Sequence, residues 1–166
     1  MYRTTMGSIE QIGTNSQQET RMHFLYLVRD GDTVLYAGRS FNPIERLRQH
    51  MGIDDSFYRT DTDRIGRLFF YEKPESLEWQ VEMYTIADCL SSVRRHIISQ
   101  FPFYTEQLYL SEVGIQGAIS FAEQALIQEH HPCLNVIHND CPTPLPIQYK
   151  WHTRGRSESS SRSLPL

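Results

Sequence analysis

The sequence lacks most features that would place it outside the ordinary globular proteins. In 166 residues no apolar run approaches the roughly 18 that a membrane-spanning helix needs. Met1 to Thr20 lacks the basic-then-apolar pattern of a secretion signal, so a cytoplasmic protein is expected. Cysteine is scarce. Cys89, Cys133 and Cys141 form an odd, sparse set, and that is no disulfide framework. Lysine is scarcer still, because fourteen of the sixteen basic residues are Arg. No internal repeat is present. Positive charge is in deficit overall, with a formal net charge of −4. That excludes a chain that coats polyanions over its whole surface, but it leaves room for a local basic site.

What is present is unevenly spread. The length suits one domain with a real core and is marginal for two. Residues 1–21 are rich in Thr, Gln, Ser and Gly, and their two Arg balance two Glu, so a flexible N-terminal segment is expected. Residues 139–166 hold Pro142, Pro144, Pro146, a Ser-rich end, and four basic against two acidic residues. They read as a Pro/Ser/Arg-rich tail, largely disordered. The middle, 22–138, carries ten basic and sixteen acidic residues. An acidic body therefore precedes a basic tail. The preference for Arg fits bidentate phosphate binding and base stacking; composition bias explains it equally well.

Hydrophobic patterning gives a coarse order of elements. His23 to Arg29 and Thr33 to Ala37 are two short β-rich runs around the turn signal Asp30-Gly31, and together they predict a hairpin. Asn42-Pro43-Ile44-Glu45 then offers an N-cap, a Pro at the first helical position and a capping-box Glu. Ile44, Leu47 and Met51 recur at helical spacing. Residues 52–63 form a polar, acidic loop. Arg67 to Tyr71 reads as a short strand or a helix end, and Glu78 to Thr85 as a third strand. Residues 86–117 are ambiguous, with Ile86 to Ser99 a candidate helix. Ser120 to His130 predicts a helix with Ser120 as N-cap and Glu123 as its capping partner, stopped by Pro132.

A set of polar residues sits on this frame. Tyr26 is central in the first strand, and Tyr36 opens Tyr-Ala-Gly ten residues later, followed by Gly38 and Arg39. Arg46 and His50, at i and i+4, share a helix face. Glu123 lies on the late helix, and Asn135 follows in His-Pro-Cys-Leu-Asn. Together these positions resemble the GIY-YIG nuclease superfamily. Phe24-Leu25-Tyr26 stands where the family has Gly-Ile-Tyr, and Tyr36-Ala37-Gly38 where it has Tyr-Ile-Gly. Arg46 and His50 match the family's helix residues, Glu123 its metal-binding Glu, and Asn135 its Asn. The twelve-residue step from Glu123 to Asn135 resembles the nuclease domain of bacterial excision-repair incision proteins. The likeness covers residues 23–50 and 119–137. Its departures are Phe24 for Gly, Ala37 for Ile, and a longer stretch between His50 and Glu123.

The resemblance implies an α+β fold, a small GIY-YIG-type domain. A central three-stranded antiparallel sheet is flanked by helices, with a helical insert before the Glu-bearing helix. The domain would run over 22–138, with the insert at about 86–117. It implies a divalent-metal-dependent endonuclease acting on DNA phosphodiester bonds, with Mg²⁺ or Mn²⁺ held by Glu123. Such a reaction needs an activated water, charge neutralisation on phosphate and help for the leaving oxygen. A cation on a lone carboxylate keeps most of its shell for water and phosphate, as Mg²⁺ prefers. Arg46 and Arg39 are candidate phosphate clamps. Tyr26 is the general base that the family implies, with Tyr36 as the alternative that orients water. A phenol with an ordinary pKa of about 10 is a poor base near neutrality, so a nearby cation or a hydrogen bond to His50 would have to assist it. Tyr26, Tyr36, Arg46, His50, Glu123 and Asn135 are thus the candidate catalytic residues.

Each residue taken singly has an ordinary explanation. The tyrosines suit the core of a hairpin, and Arg46 and His50 a solvated helix face. Glu123 suits a capping box, Asn135 a turn and Gly38 a turn glycine. His130, Cys133, His138 and Cys141 have a spacing that would also suit zinc. The competing function is a binding subunit of a larger nucleic-acid-processing complex, favoured by the acidic body. A homodimer or larger assembly would bring the missing basic surface. In the insert, Arg94 and Arg95 lie near Phe101, Phe103 and Tyr104. They are candidate substrate-binding residues beside Gly38 and Arg39.

Overall fold

The computed structural model describes residues 1–11, 23–53, 64–72, 74–89 and 106–149. Four consecutive apolar residues, Leu25 to Val28, are almost wholly buried. That is the pattern of a strand covered on both faces. They open β2 (Leu25–Asp30), which turns through Gly31 at φ +54° into β3 (Thr33–Arg39). Glycine is favoured at such a positive φ. With β1 (Tyr2–Thr5) and β4 (Gln80–Tyr84), the strands form an antiparallel sheet in the order β1-β4-β2-β3. The fold is α+β.

Each face of the sheet has its own core. Tyr26, Val28, Val81 and Met83 pack against α1 (Met6–Gln11), α2 (Pro43–His50) and α3 (Arg64–Tyr71), through residues such as Ile9, Leu47 and Leu68. On the other face Leu25, Leu27, Val34 and Ala37 meet α4 (Glu106–His130) through Ile119, Ala122, Leu126 and Ile127. The capping of α2 is as the sequence predicts. The Glu45 amide donates to Asn42 Oδ1 at 3.3 Å, and Asn42 Nδ2 donates to Glu45 Oε2 at 2.9 Å.

The structure corrects several expectations. The sheet has four strands, not three, because residues 1–11 are not a flexible segment. Met6 and Ile9 are fully buried, each contributing roughly 1.5–3 kcal/mol, and a polar composition hid this pair. Ser120 is not an N-cap, and Glu123 is not in a first turn: α4 runs straight through both from Glu106. Of the two readings of Arg67 to Tyr71 the helix end holds, as the close of α3. The chain from 139 to 149 is not a loose tail. Asn139 Nδ2 donates to the Pro132 carbonyl at 2.8 Å, and the Tyr149 hydroxyl donates to Asp30 at 2.6 Å. Of the expected insert, a short 3-10 turn at Ala87–Cys89 and the start of α4 are described. Arg94, Arg95, Phe101, Phe103, Tyr104 and residues 150–166 lie outside the described residues. Among the described residues no helix is long and apolar enough to cross a membrane.

Candidate active site

Edge strand β3 organises the site. Its outer edge is sealed by the chain that follows α4. The Cys133 amide donates to the Val34 carbonyl at 3.1 Å and the Leu134 amide to Leu35 at 2.9 Å. Asn135 extends this ladder with its side chain. Its Oδ1 accepts from the Ala37 amide and its Nδ2 donates to the Ala37 carbonyl, both at 2.8 Å. The primary amide thus mimics a strand neighbour. Asn135 thereby fixes β3 between Tyr36 and Gly38.

A β-bulge decides which way Tyr36 points. Val28 pairs with Tyr36 but Arg29 with Val34, leaving Leu35 as the extra residue. The extra residue shifts the alternation. Leu35 and Tyr36 therefore both join the core on the α2 side, while Val34 and Ala37 face α4. Gly38 sits opposite Tyr26 in the ladder. A Cβ at Gly38 would stand 2.5 Å from Cζ and from the hydroxyl oxygen of Tyr26, and 2.9 Å from Cε1 of Tyr36. No other residue leaves that space. Gly38 is therefore a mid-strand gap filled by the Tyr26 ring, not a turn glycine.

Tyr26, Tyr36 and His50 form one aromatic cluster. Tyr36 lies 6.2 Å from Tyr26 and 5.8 Å from His50 between ring centroids. The Tyr26 hydroxyl and His50 Nε2 are 3.4 Å apart. Tyr26 is only 1% exposed, whereas Tyr36 is half-buried. This difference separates two residues that the sequence could not.

In front of the cluster opens a cleft of about 450 Å³. Tyr36 and Arg39 enter it from β3, Arg46 and His50 from α2, and Glu123 from α4. Asn135 lines it as well; Tyr26 and Gly38 do not. Arg39 Nε lies 2.9 Å from Glu123 Oε2 across the cleft. Burial pushes the Glu123 carboxyl up, and the Arg39 guanidinium pulls it only part of the way back. Arg46 Nη1 donates to Gln49 Oε1 at 3.3 Å.

The cleft also holds residues that the sequence reading missed. Arg64, at the start of α3, is exposed and adds a third arginine. Only the general excess of Arg pointed to it. His138 also lines the cleft, at φ +62°, following the exposed Val136 and Ile137. A non-glycine residue in that region is uncommon and clusters at functional sites. The sequence singled it out only within the spacing of His130, Cys133, His138 and Cys141, and not for this cleft.

No protein-family model, curated protein or solved structure gives a significant match to this chain. The reading of the cleft therefore rests on its own chemistry. Three arginines and two histidines line the cleft with one carboxylate, Glu123, which is partly buried and ion-paired to Arg39. Such a lining suits an anion with several negative oxygens. Among the described residues no three His, Cys, Asp or Glu side chains converge to hold a metal. His130, Cys133, His138 and Cys141 are all described, and they form no such group. Among the described residues, Glu123 is the one acidic side chain lining the cleft that could hold a cation.

Proposed function

We propose that the protein is a divalent-metal-dependent endonuclease of the GIY-YIG type, acting on DNA phosphodiester bonds. One observation carries the reading: Tyr36, Arg39, Arg46, His50 and Glu123 meet in one cleft although they come from three separate elements. Tyr26 and Gly38 stand behind Tyr36, and Asn135 pins β3, the strand that presents Tyr36 and Arg39. The ordinary explanations hold for single residues but do not account for this convergence.

Glu123 fits a hard cation that keeps most of its shell for solvent and phosphate. The Arg39 guanidinium already bonded to it marks the carboxylate as a seat for positive charge. A bound Mg²⁺ or Mn²⁺ would supply charge neutralisation at the leaving oxygen. The other roles follow from position. Arg46 and Arg64 would clamp the phosphate flanking the reacting bond. Tyr36, half-buried on the cleft wall, would orient the attacking water and hand its proton toward His50. Tyr26, buried and bonded to His50, would hold that imidazole in place. General-base duty therefore moves from Tyr26 to the Tyr36–His50 pair.

Nicking of supercoiled plasmid with Mg²⁺ or Mn²⁺, against an EDTA control, tests the activity. Cleavage that survives EDTA overturns it. Binding without cleavage in either metal would favour a binding subunit, a role that the net charge of −4 also suits. Tyr36→Phe should lower the rate by about 10²-fold, the scale for a lost proton-transfer group. Tyr26→Phe should lower it less.

A further inference from the structure

A second, smaller cleft adjoins the first, and nothing in the hydrolytic reading uses it. It has a volume of about 280 Å³ and is lined by Arg39, Ser40, Phe41, Gln116 and Ile119. Arg39 lines both clefts, so whatever occupies the second lies directly beside a group bound in the first.

Its walls divide by chemistry. Ile119 is 4% exposed and makes an apolar floor. Phe41 is 58% exposed, a large amount for an aromatic ring. It is nevertheless held firmly. Phe24 abuts it at 5.7 Å between centroids with the rings at 73°. The Ser40 amide donates to the Phe24 carbonyl at 2.8 Å, and the Asn42 amide donates to Ser40 Oγ at 3.0 Å. The loop presenting Phe41 is thus tied to β2 on one side and to the cap of α2 on the other. Phe24 is also the residue that departs from the Gly-Ile-Tyr pattern, and here it has a purpose in backing the exposed ring. Gln116 and Ser40 bring an amide and a hydroxyl to the same cleft. A primary amide can donate and accept at once, the pairing that reads a base edge.

We infer that this second cleft is a subsite for one unpaired nucleobase, whose own phosphate lies in the first cleft under Arg39. The inference rests on the nuclease reading and deepens it. A stiff, exposed aromatic over an apolar floor is a stacking platform for a base outside a helix. A base paired within a duplex has both faces covered by its neighbours and cannot use it. The shared arginine sets the spacing, with the phosphate on one side and the attached base on the other. The substrate class is therefore nucleic acid with an unpaired nucleotide at the cut, such as a flap, bulge or single strand.

The test measures binding by fluorescence anisotropy in EDTA, so that no cleavage occurs. The probes are a continuous DNA duplex, the same duplex with one bulged nucleotide, and the single strand. The wild-type protein should bind the bulged duplex about tenfold or more tighter than the continuous one, the scale of one base–aromatic stack. Phe41→Ala should erase that preference while leaving continuous-duplex binding and the melting temperature unchanged. Phe41→Trp should retain it. Equal binding of bulged and continuous duplex by the wild type overturns the subsite, as does a preference that survives Phe41→Ala. Either result, with plasmid nicking intact, removes the subsite alone. Failure to bind any of the three probes at low salt removes the nuclease reading as well.

Discussion

Two glutamates in this molecule each face arginine, and the contrast between them separates scaffold from site. Glu82 lies on the interior strand β4 and is 5% exposed. Its carboxylate takes Arg29 Nε at 3.0 Å, Arg3 Nη2 at 3.0 Å and the Tyr84 hydroxyl at 2.6 Å. Burial alone would push its carboxyl up. The Tyr84 bond and the two guanidiniums outweigh that and hold it below the ordinary range. Glu123 has Arg39 as its one ion-pair partner among the described residues, and burial wins: its carboxyl is raised. A saturated carboxylate has nothing left to bind. One left short of partners, on the wall of a cleft, is open to a cation from solution. The same types of residue are saturated with partners in one place and, on the proposed reading, left for chemistry in the other.

The sharpest way to break this comparison is to remove each carboxylate in turn. Glu123→Ala should abolish metal-dependent cleavage, by about 10²-fold or more, with little change in melting temperature. A mutant that nicks plasmid at the wild-type rate would end the assignment of Glu123. Glu82→Ala should do the reverse. It strips the half-buried Arg29 of its charge partner, and breaking such a buried pair costs about 3 kcal/mol or more. Urea denaturation should show that loss. At temperatures where Glu82→Ala remains folded, its cleavage rate should be close to wild type.

Acid should sharpen the same contrast. Glu82 has a folded pKa below its unfolded one, so its contribution to stability is complete above the unfolded value and lost as pH falls through the folded value. Glu123 has the opposite sign. Its raised folded pKa favours the protonated form, so ionising it works against the fold as pH rises through that value. Cation binding requires the ionised form. On acidification from about pH 7, Mn²⁺ binding followed by electron paramagnetic resonance should therefore fade first, while the protein is still folded. Unfolding should follow at lower pH. Arg39→Gln, which removes the charge that lowers the Glu123 pKa, should move the midpoint of Mn²⁺ binding to higher pH. A midpoint that shifts down or stays put would show that Arg39 does not govern this carboxylate.

Much of this arrangement was legible in the sequence, and the parts that were not share a cause. The hairpin, the cap of α2, the shared face of Arg46 and His50, and the Glu on a late helix follow from local patterns of a few residues. What escaped depends on contacts between distant segments. The β-bulge at Leu35 leaves no local mark, yet it turns Tyr36 toward the site. Asn135 looks like a turn residue until its amide is seen against Ala37, 98 positions away. Met6 and Ile9 look like chance apolar residues in a polar stretch until the sheet and α2 close over them. Tyr26 and Tyr36 differ in exposure because one lies behind the other, and burial of that kind is a property of the assembled core.

The chain end carries the same contrast at its weakest. Tyr149 belongs to the saturated kind. It is 6% exposed, its hydroxyl bonds Asp30 at 2.6 Å, and its ring meets Trp79 edge-on at 5.6 Å between centroids. Residues 150–166 add Lys150, Arg154, Arg156 and Arg162 against Glu158 alone, charge suited to phosphate. Ending the chain after Tyr149 should leave the melting temperature and the low-salt nicking rate near wild type. It should flatten the dependence of DNA affinity on salt by a slope of up to about 3, the size expected if most of these cations displace counterions. Ending it after His138 removes Tyr149 and Asn139 too, and should destabilise the fold by about 2 kcal/mol or more, since a large aromatic leaves the core. Salt titrations of binding and thermal melts on the two truncations separate these effects. If the shorter protein melts like the full chain, the Tyr149 packing contributes nothing; if the longer one keeps the full salt slope, the basic residues after 149 do not meet phosphate.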